Sequence, residues 1–276
     1  MAIPPYATTS EKVTYWGVRV YVALVLLFLV APILSIMPLS FNSDMFFSYP
    51  MPGFSLRWYE DFFFNPRWQS ALWLSAILAI LTTILSTALG TLAALGLARG
   101  NLPFRATIMA VLISPMIVPI IISALGMFFF YAKLNLLGTL PGLVLAHTAL
   151  ATPFVVITVT ATLSSFDRTL MRAGESLGAS PTTVFFRVVM PLILPGMISG
   201  ALFAFGTSFD EVIAVIFIAG PEQRTLPRQM FSGIREQISP TITAAATVLI
   251  IISTLMLVTV ELLRRRSERL RGVKPS

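Results

Sequence analysis

Two neighbouring carboxylates, Asp210 and Glu211, stand in the stretch GTSFDEVIA, directly after an interval, residues 188–209, that carries no charge. An ionised acid in apolar surroundings is costly, and it is kept where it faces a water-filled path or an opposite charge. The pair therefore serves either as a negative site on the route of a cation or as a structural partner for a basic group elsewhere. Adjacent residues of a helix point about 100° apart, so one of the two lines a given path. Phe209, just before them, offers a ring face to a cation or a packing surface. Covalent chemistry has no equipment here. The sequence contains no cysteine, which removes thiol, disulfide and Cys-ligated metal chemistry. His147 is the one histidine, too few for a metal site or a nucleophile–base constellation. No G-x-x-x-x-G-K-[ST] phosphate loop occurs. The expectation is a chain without catalytic residues, metal ligands or a cofactor of its own, and not an enzyme. His147, in LAHTALATP, reads as a hydrogen-bonded packing residue or as a gating or pH-sensitive group.

A second polar group lies in RAGESLGASPTTVFFRVVMP, Arg172–Pro191. The pattern predicts a helix over Asp167–Leu177 with an acid at its start, where the helix dipole favours one. Leu170, Ala173 and Leu177 recur as a small apolar stripe. Gly178 falls at the left-handed position that ends a helix. Ser180 is an N-cap with Pro181 at the first helical position, and the second helix, PTTVFFRVV, is expected to end before Pro191. Such a helix–Gly–helix unit suits either a partner that pushes on it or an amphipathic rest on lipid headgroups.

The elements that must hold these groups are apolar. The chain has 276 residues, 56% hydrophobic and 11% charged, with a mean hydropathy of +0.86. Soluble domains carry about 25% charged residues. Charge-free intervals cover 20–43, 68–98, 106–132, 134–166, 188–209 and 237–260, and each exceeds the roughly 20 residues that cross the hydrocarbon core as a helix. One such run fits a buried soluble core; six do not. The expected architecture is all-α, a polytopic membrane protein in one domain, with spans near 17–40, 70–98, 106–132, 139–163, 192–219 and 241–263 and a polar inside loop at 164–190. The first apolar run is too long for a signal-peptide core and reads as a retained span. Six spans put both termini on one side. If that side is inside, the outside segments carry Arg57, Arg67, Lys133, Arg224, Arg228 and Arg235, leaving thirteen of the nineteen basic residues inside, which fits the positive-inside rule. The net charge of +7 is weighted by the terminal RRRSERLRGVKPS, which beside a membrane contacts anionic headgroups; a nucleic-acid partner is not expected, and membrane lipid is.

Two outside loops are long. In 41–69, Trp58, Tyr59, Trp68 and a Phe cluster read as an interfacial aromatic belt or a docking surface for an external partner. The 220–240 loop is polar with alternating charge. Pro115, Pro119, Pro141, Pro153 and Pro195 point to kinked or broken helices. Ser86, Ala88, Gly90, Ala93 and Ala94 suit close helix packing.

The Arg172–Pro191 segment resembles the EAA signature of ABC-transporter permeases: E-A-A, three residues, Gly, nine residues, then I-x-L-P. Arg172-Ala173-Gly174 stand for E-A-A, Gly178 for the glycine, and Val188-Val189-Met190-Pro191 for the close; LGAS, Leu177 to Ser180 through Ala179, matches the commonest form. LSFNS (39–43), LRWYEDFF (56–63), SFDEVIAVIFIAGPEQRTLPRQMFSGIR (208–235) and ISPTITAAATVLI (238–250) are similar to the second permease of polyamine (spermidine/putrescine) importers. The resemblance implies a type I importer permease in the bacterial inner membrane, with both termini cytoplasmic. It would pair with a homologous second permease and two ATPase subunits that bind ATP and magnesium. An external binding protein would deliver a small cationic solute, with amino-acid-like or opine-like solutes as the other option. The 164–190 unit would be the coupling helix seated on an ATPase. A self-sufficient secondary carrier, which usually folds with more spans or matched repeats, is the competing class. One departure stands out: the motif glutamate is Arg172. Either Glu175, three residues on and near the same face, supplies the acid, or Arg172 meets an acidic ATPase surface, or the other permease makes the standard contact.

Overall fold

The computed structural model describes residues 8–98, 102–164, 169–236 and 239–270. Helix α1 (Thr9–Leu39) opens on a capping box in which the Glu11 carboxylate accepts the Thr8 N–H at 2.8 Å and the Thr8 hydroxyl accepts the Glu11 N–H, satisfying two donors the first turn would leave orphaned. None of its 31 residues is buried, and it leans on the last helix of the chain. A long helix that is apolar on every side and uncovered has lipid or another chain for its surroundings.

The outside segment that follows is tied to itself. The Trp58 indole donates to the Asn42 carbonyl at 2.7 Å, and the Ser40 and Tyr59 hydroxyls meet at 2.7 Å. Helix α2 (Arg57–Phe64) leads into α3 (Pro66–Leu97) through Asn65, whose side chain accepts the Arg67 N–H while Pro66 takes the first helical position. The aromatic set of this region divides: Phe62 and Trp68 turn inward, buried with ring centroids 5.7 Å apart, whereas Phe63 and Phe64 stay outside.

The third expected span is not one straight helix. Helix α4 (Arg105–Ile117) and α5 (Ile120–Lys133) meet at a 102° bend. Pro119 lacks the N–H that would continue the ladder, and it forces Val118 into extended backbone, ψ 131, as a residue before proline is forced. At about 20 Å each, neither half crosses a ~30 Å core upright. Pro115 sits inside α4 without breaking it. Helix α6 (Leu140–Ser164) likewise carries Pro153 in its interior.

Next come α7 (Thr169–Ser176) and α8 (Pro181–Val184), then a π-helical turn over Phe185–Val189, then α9 (Met190–Asp210). Here the second expectation fails: the helix after Ser180 does not stop before Pro191. The Met190 N–H reaches back to the Phe185 carbonyl, one residue further than an α-helical bond, and this widened turn relieves the clash and the missing donor that Pro191 would impose. Pro181–Asp210 is thus one apolar run of 30 residues, about 45 Å long, with Pro195 inside it. The fifth span also ends early, at Asp210; a short α10 (Ile213–Ile218) follows, then α11 (Leu226–Glu236) and α12 (Pro240–Leu270). Among the described residues five runs are long and apolar enough to cross a bilayer, six if the bent α4–α5 pair counts as one.

The core is the packing of α3, α6 and α9 against one another. Ser86, Gly90 and Ala94 form the buried stripe of α3, with Ala88 outside it. A Cβ on Gly90 would lie 2.6 Å from that of Val155, and one on Gly200 2.6 Å from the Thr158 hydroxyl, so the three backbones approach as closely as side-chain-free positions permit. Glycine conformation matters at one outside contact as well: Gly138, at φ 68, donates to the Ile218 carbonyl at 2.9 Å and abuts Gly220, pinning the α5–α6 turn to the end of α10.

Candidate functional site

Asp210 and Glu211 lie at a helix break rather than mid-helix. Asp210 is the last residue of α9 and exposed; Glu211 is half-buried with extended backbone, φ −74 and ψ 122. The Glu211 carboxylate turns forward and accepts the Ala214 N–H at 2.9 Å, capping α10 where the helix dipole favours an anion. Neither carboxylate has an ion-pair partner among the described residues. From Met190 the break is about 31 Å along the helix, at the end of the span away from the α7–α8 hairpin. Phe209 does not join the acids. It is buried, stacked on Phe205 with centroids 5.5 Å apart, among Phe62, Trp68, Leu226 and Ile242; it anchors α9 by packing. Ser208, one residue earlier, is buried and lies 2.9 Å from Nδ1 of the buried His147 on α6. His147 is the hydrogen-bonded residue its apolar context implied, and Ser208 is a contact that spacing alone does not reveal.

The inside unit is a tight hairpin. Gly178, at φ 82, donates to the Glu175 carbonyl at 2.9 Å while Ala179 donates to that of Gly174 at 3.1 Å, the two bonds of a Schellman closure. Ser180 caps α8 by accepting the Thr183 N–H, with Pro181 next. Gly174 sits where α7 crosses α8: a Cβ there would meet Val184 at 3.1 Å. Met171 packs onto the α6–α9 core beside Val189 and Ile193. The other side of α7 faces out. Leu170 is 47% and Leu177 88% exposed, and Arg172, Ala173 and Glu175 are exposed as well. The apolar stripe thus points away from the chain's own core. Arg172 and Glu175 lie about 60° apart on the helix, and neither is ion-paired among the described residues. Asp167, the expected first acid of this helix, lies outside the described residues, as do Arg99, Arg168 and the end of the basic tail from Arg271. Pro191 is exposed on the first turn of α9.

The start of α3 and the 221–229 segment enclose an open cleft of ≈ 830 Å³ lined by Arg67, Ser70, Glu222, Gln223, Arg224 and Gln229 among others. Its shape is set by bonds that hydropathy does not signal. The buried Leu226 N–H donates to Ser75 on α3 at 2.7 Å, and the Arg228 guanidinium donates to the carbonyls of Gly220 and Gln223. Burial, and the Arg224 charge nearby, lower the pKa of Arg228 from its ordinary value. Across the same surface Asp61 accepts from Asn65 and from the Thr241 hydroxyl, the latter at 2.8 Å, clasping α2 to the head of α12.

The chain resembles characterised transport proteins in sequence and in shape. It is 30% identical over 240 residues to the spermidine/putrescine transport system permease protein PotC of Haemophilus influenzae, covering 87% of this chain and 93% of that one. It is 33% identical over 234 residues to the putrescine transport system permease protein PotI of Escherichia coli, covering 81% and 82%. Its backbone superposes on a chain of the bacterial alginate ABC transporter in complex with an alginate pentasaccharide-bound periplasmic protein, with a TM-score of 0.69 at 16% identity over 96% of this chain and 97% of that one. Residues 86–271, from the small-residue face of α3 through the acidic break to the end of α12, match the binding-protein-dependent transport system inner membrane component, and the chain belongs to that family.

Proposed function

We propose that this chain is one of two permease subunits of a bacterial polyamine importer, and that Asp210 and Glu211 form a negative site on the solute's route. The observation that carries the reading is the pair of carboxylates at the α9–α10 break without a counter-ion among the described residues. A polyamine is a flexible chain of ammonium groups, and at a helix break near the outer end of a span such groups meet acids under low effective dielectric, where the attraction far exceeds its value in water. The names of the PotC and PotI relatives support the same solute class.

The remaining parts follow from position. Both termini are cytoplasmic, as the bias of basic residues favours, which puts α7 inside and the ≈ 830 Å³ cleft outside. ATP and magnesium are held by two ATPase partners, one of them seated against the exposed face of α7. The cleft, with both signs of charge, receives the solute-loaded binding protein. Displacement of the α7–α8 hairpin moves α9, because Pro181 to Asp210 is one continuous helical run. The far end of that run carries the acids, so a push on one side of the membrane changes how they are presented on the other, which is what alternating access requires. The test is ATP hydrolysis by the reconstituted complex with putrescine-loaded binding protein, comparing wild type with Asp210→Asn and Glu211→Gln. Loss of stimulation in at least one variant supports the reading. Stimulation by a receptor loaded with a neutral or amino-acid-like solute, indifferent to both changes, discards it.

A further inference from the structure

We propose that His147 is a positioning residue for the acidic break, acting through Ser208 to fix the orientation in which α9 ends; this rests on the reading of Asp210 and Glu211 as the cation site. Ser208 stands two residues before Asp210 on the same helix. Its hydroxyl lies 2.9 Å from Nδ1 of His147, with the residues 1% and 4% exposed for histidine and serine. Elsewhere the α6–α9 contact includes close packing of Gly196 and Gly200 against Val155, Thr158 and Thr162. The hydrogen bond adds to that packing a contact with a preferred direction. The bond acts at the last turn of α9, where a tilt of the helix about its packed middle would displace Asp210 and Glu211 most.

The same stretch of α6 holds the other side of the break. Leu143, Ala146 and Leu150, which flank His147 by up to one turn, form a buried cluster with Ala214, Val215 and Ile218 of α10. Helix α6 therefore grips α9 through His147 and α10 through its apolar neighbours, and the two acids lie between the grips. A third observation separates orientation from mere stability. His147 Nε2 is buried with no hydrogen-bond partner, which is destabilising for a polar atom. An aliphatic residue would fill the same space without that penalty, and the Nδ1 bond to Ser208 is the polar side-chain contact this imidazole makes among the described residues.

The test is putrescine uptake by proteoliposomes containing the full complex, with His147→Gln, His147→Asn and Ser208→Ala alone, and His147→Gln combined with Asp210→Asn or Glu211→Gln. Asparagine sets a polar atom where Nδ1 lies and offers it as donor or acceptor; glutamine reaches toward the Nε2 position instead. Loss of one buried hydrogen bond predicts that His147→Gln and Ser208→Ala slow uptake about fivefold, with His147→Asn within about twofold of wild type. In the background of whichever acid neutralisation slows uptake, His147→Gln adds no further slowing, because the group it positions is already gone. Equal effects of Asn and Gln, or an undiminished effect of His147→Gln in the neutralised background, overturn the proposal and make His147 a packing residue. If both neutralised variants import at the wild-type rate, the acidic-site reading fails and this one with it. If they are slow while Ser208→Ala and His147→Gln are normal, only this one fails. Should His147→Gln not assemble, Ser208→Ala removes the same bond with a smaller change in volume and decides alone.

Discussion

Removing the charge of Asp210 or Glu211 by an isosteric amide separates two roles that share one helix break. Glu211 caps α10 through the Ala214 N–H at 2.9 Å, and glutamine keeps an acceptor oxygen there, so Glu211→Gln is expected to leave assembly intact while weakening attraction for an ammonium group. Glu211→Ala removes the cap too and adds a loss of about 1 kcal/mol, visible as a lower melting temperature of the purified complex. Asp210 caps nothing described, so Asp210→Asn and Asp210→Ala are expected to melt alike and to differ from wild type in transport alone. On the inside, Arg172 occupies the glutamate position of the signature and Glu175 stands beside it, both exposed. If Glu175 supplies the acid that the ATPase needs, Glu175→Ala lowers solute-stimulated ATP hydrolysis several-fold and Arg172→Glu restores part of it in the double variant. Unchanged hydrolysis in Glu175→Ala removes Glu175 from the coupling contact.

At the scale of elements, the hairpin and the run from Pro181 to Asp210 should behave as one stiff body. Gly178→Ala puts a Cβ at φ 82, which costs about 1 kcal/mol; it is expected to lower the coupling of ATP hydrolysis to uptake with little effect on assembly, since nothing packs within 4 Å of that position. Gly200→Ala differs in kind. Its Cβ would meet the Thr158 hydroxyl at 2.6 Å and the Val155 backbone at 2.9 Å, and overpacking of this sort costs about 1–3 kcal/mol, seen as reduced yield and melting temperature of the complex. Sequence reasoning located these elements unevenly. Charge-free intervals found α1, α3, α6 and α12 because hydrocarbon solubility is a property of composition. The same signal carries no direction, so 106–132 reads as one span; the prolines point to kinks or breaks, and Pro119 makes one, whereas Pro115, Pro153 and Pro195 lie inside unbroken helices. The opposite error occurred at Pro191, where a widened turn carries the helix past a residue that usually stops one. The break at Glu211 had no proline or glycine to announce it. It arises from a side-chain cap and from the packing of Phe209 and α10, which are tertiary facts. Gly178, Ser180 and Pro181 were legible because their roles are local; the outward facing of Leu170 and Leu177 was not, since a stripe does not say which side is covered.

For the whole molecule, the account joins an outside cleft, a stiff core and an inside hairpin. The cleft is expected to act by charge: Arg67→Glu with Arg224→Glu should cut stimulation by the loaded binding protein about tenfold at low ionic strength and much less at 0.5 M salt, because rim charges steer encounter and are screened beyond a Debye length. Binding that is indifferent to both charges would move the receptor elsewhere. Helix α1, with none of its residues buried, has only lipid or a neighbouring chain to cover it, which fits a subunit that is incomplete alone. The account as a whole stands on the claim that this chain moves a solute only when driven from the hairpin side by ATP and fed from the cleft side by a receptor. The direct measurement is uptake of labelled putrescine into proteoliposomes bearing the reconstituted complex, with ATP supplied inside or outside the vesicle and the binding protein on either face. The predicted result is accumulation only with ATP inside the vesicle and binding protein outside it. Uptake without ATP, or driven by an ion gradient through this chain alone, would contradict it.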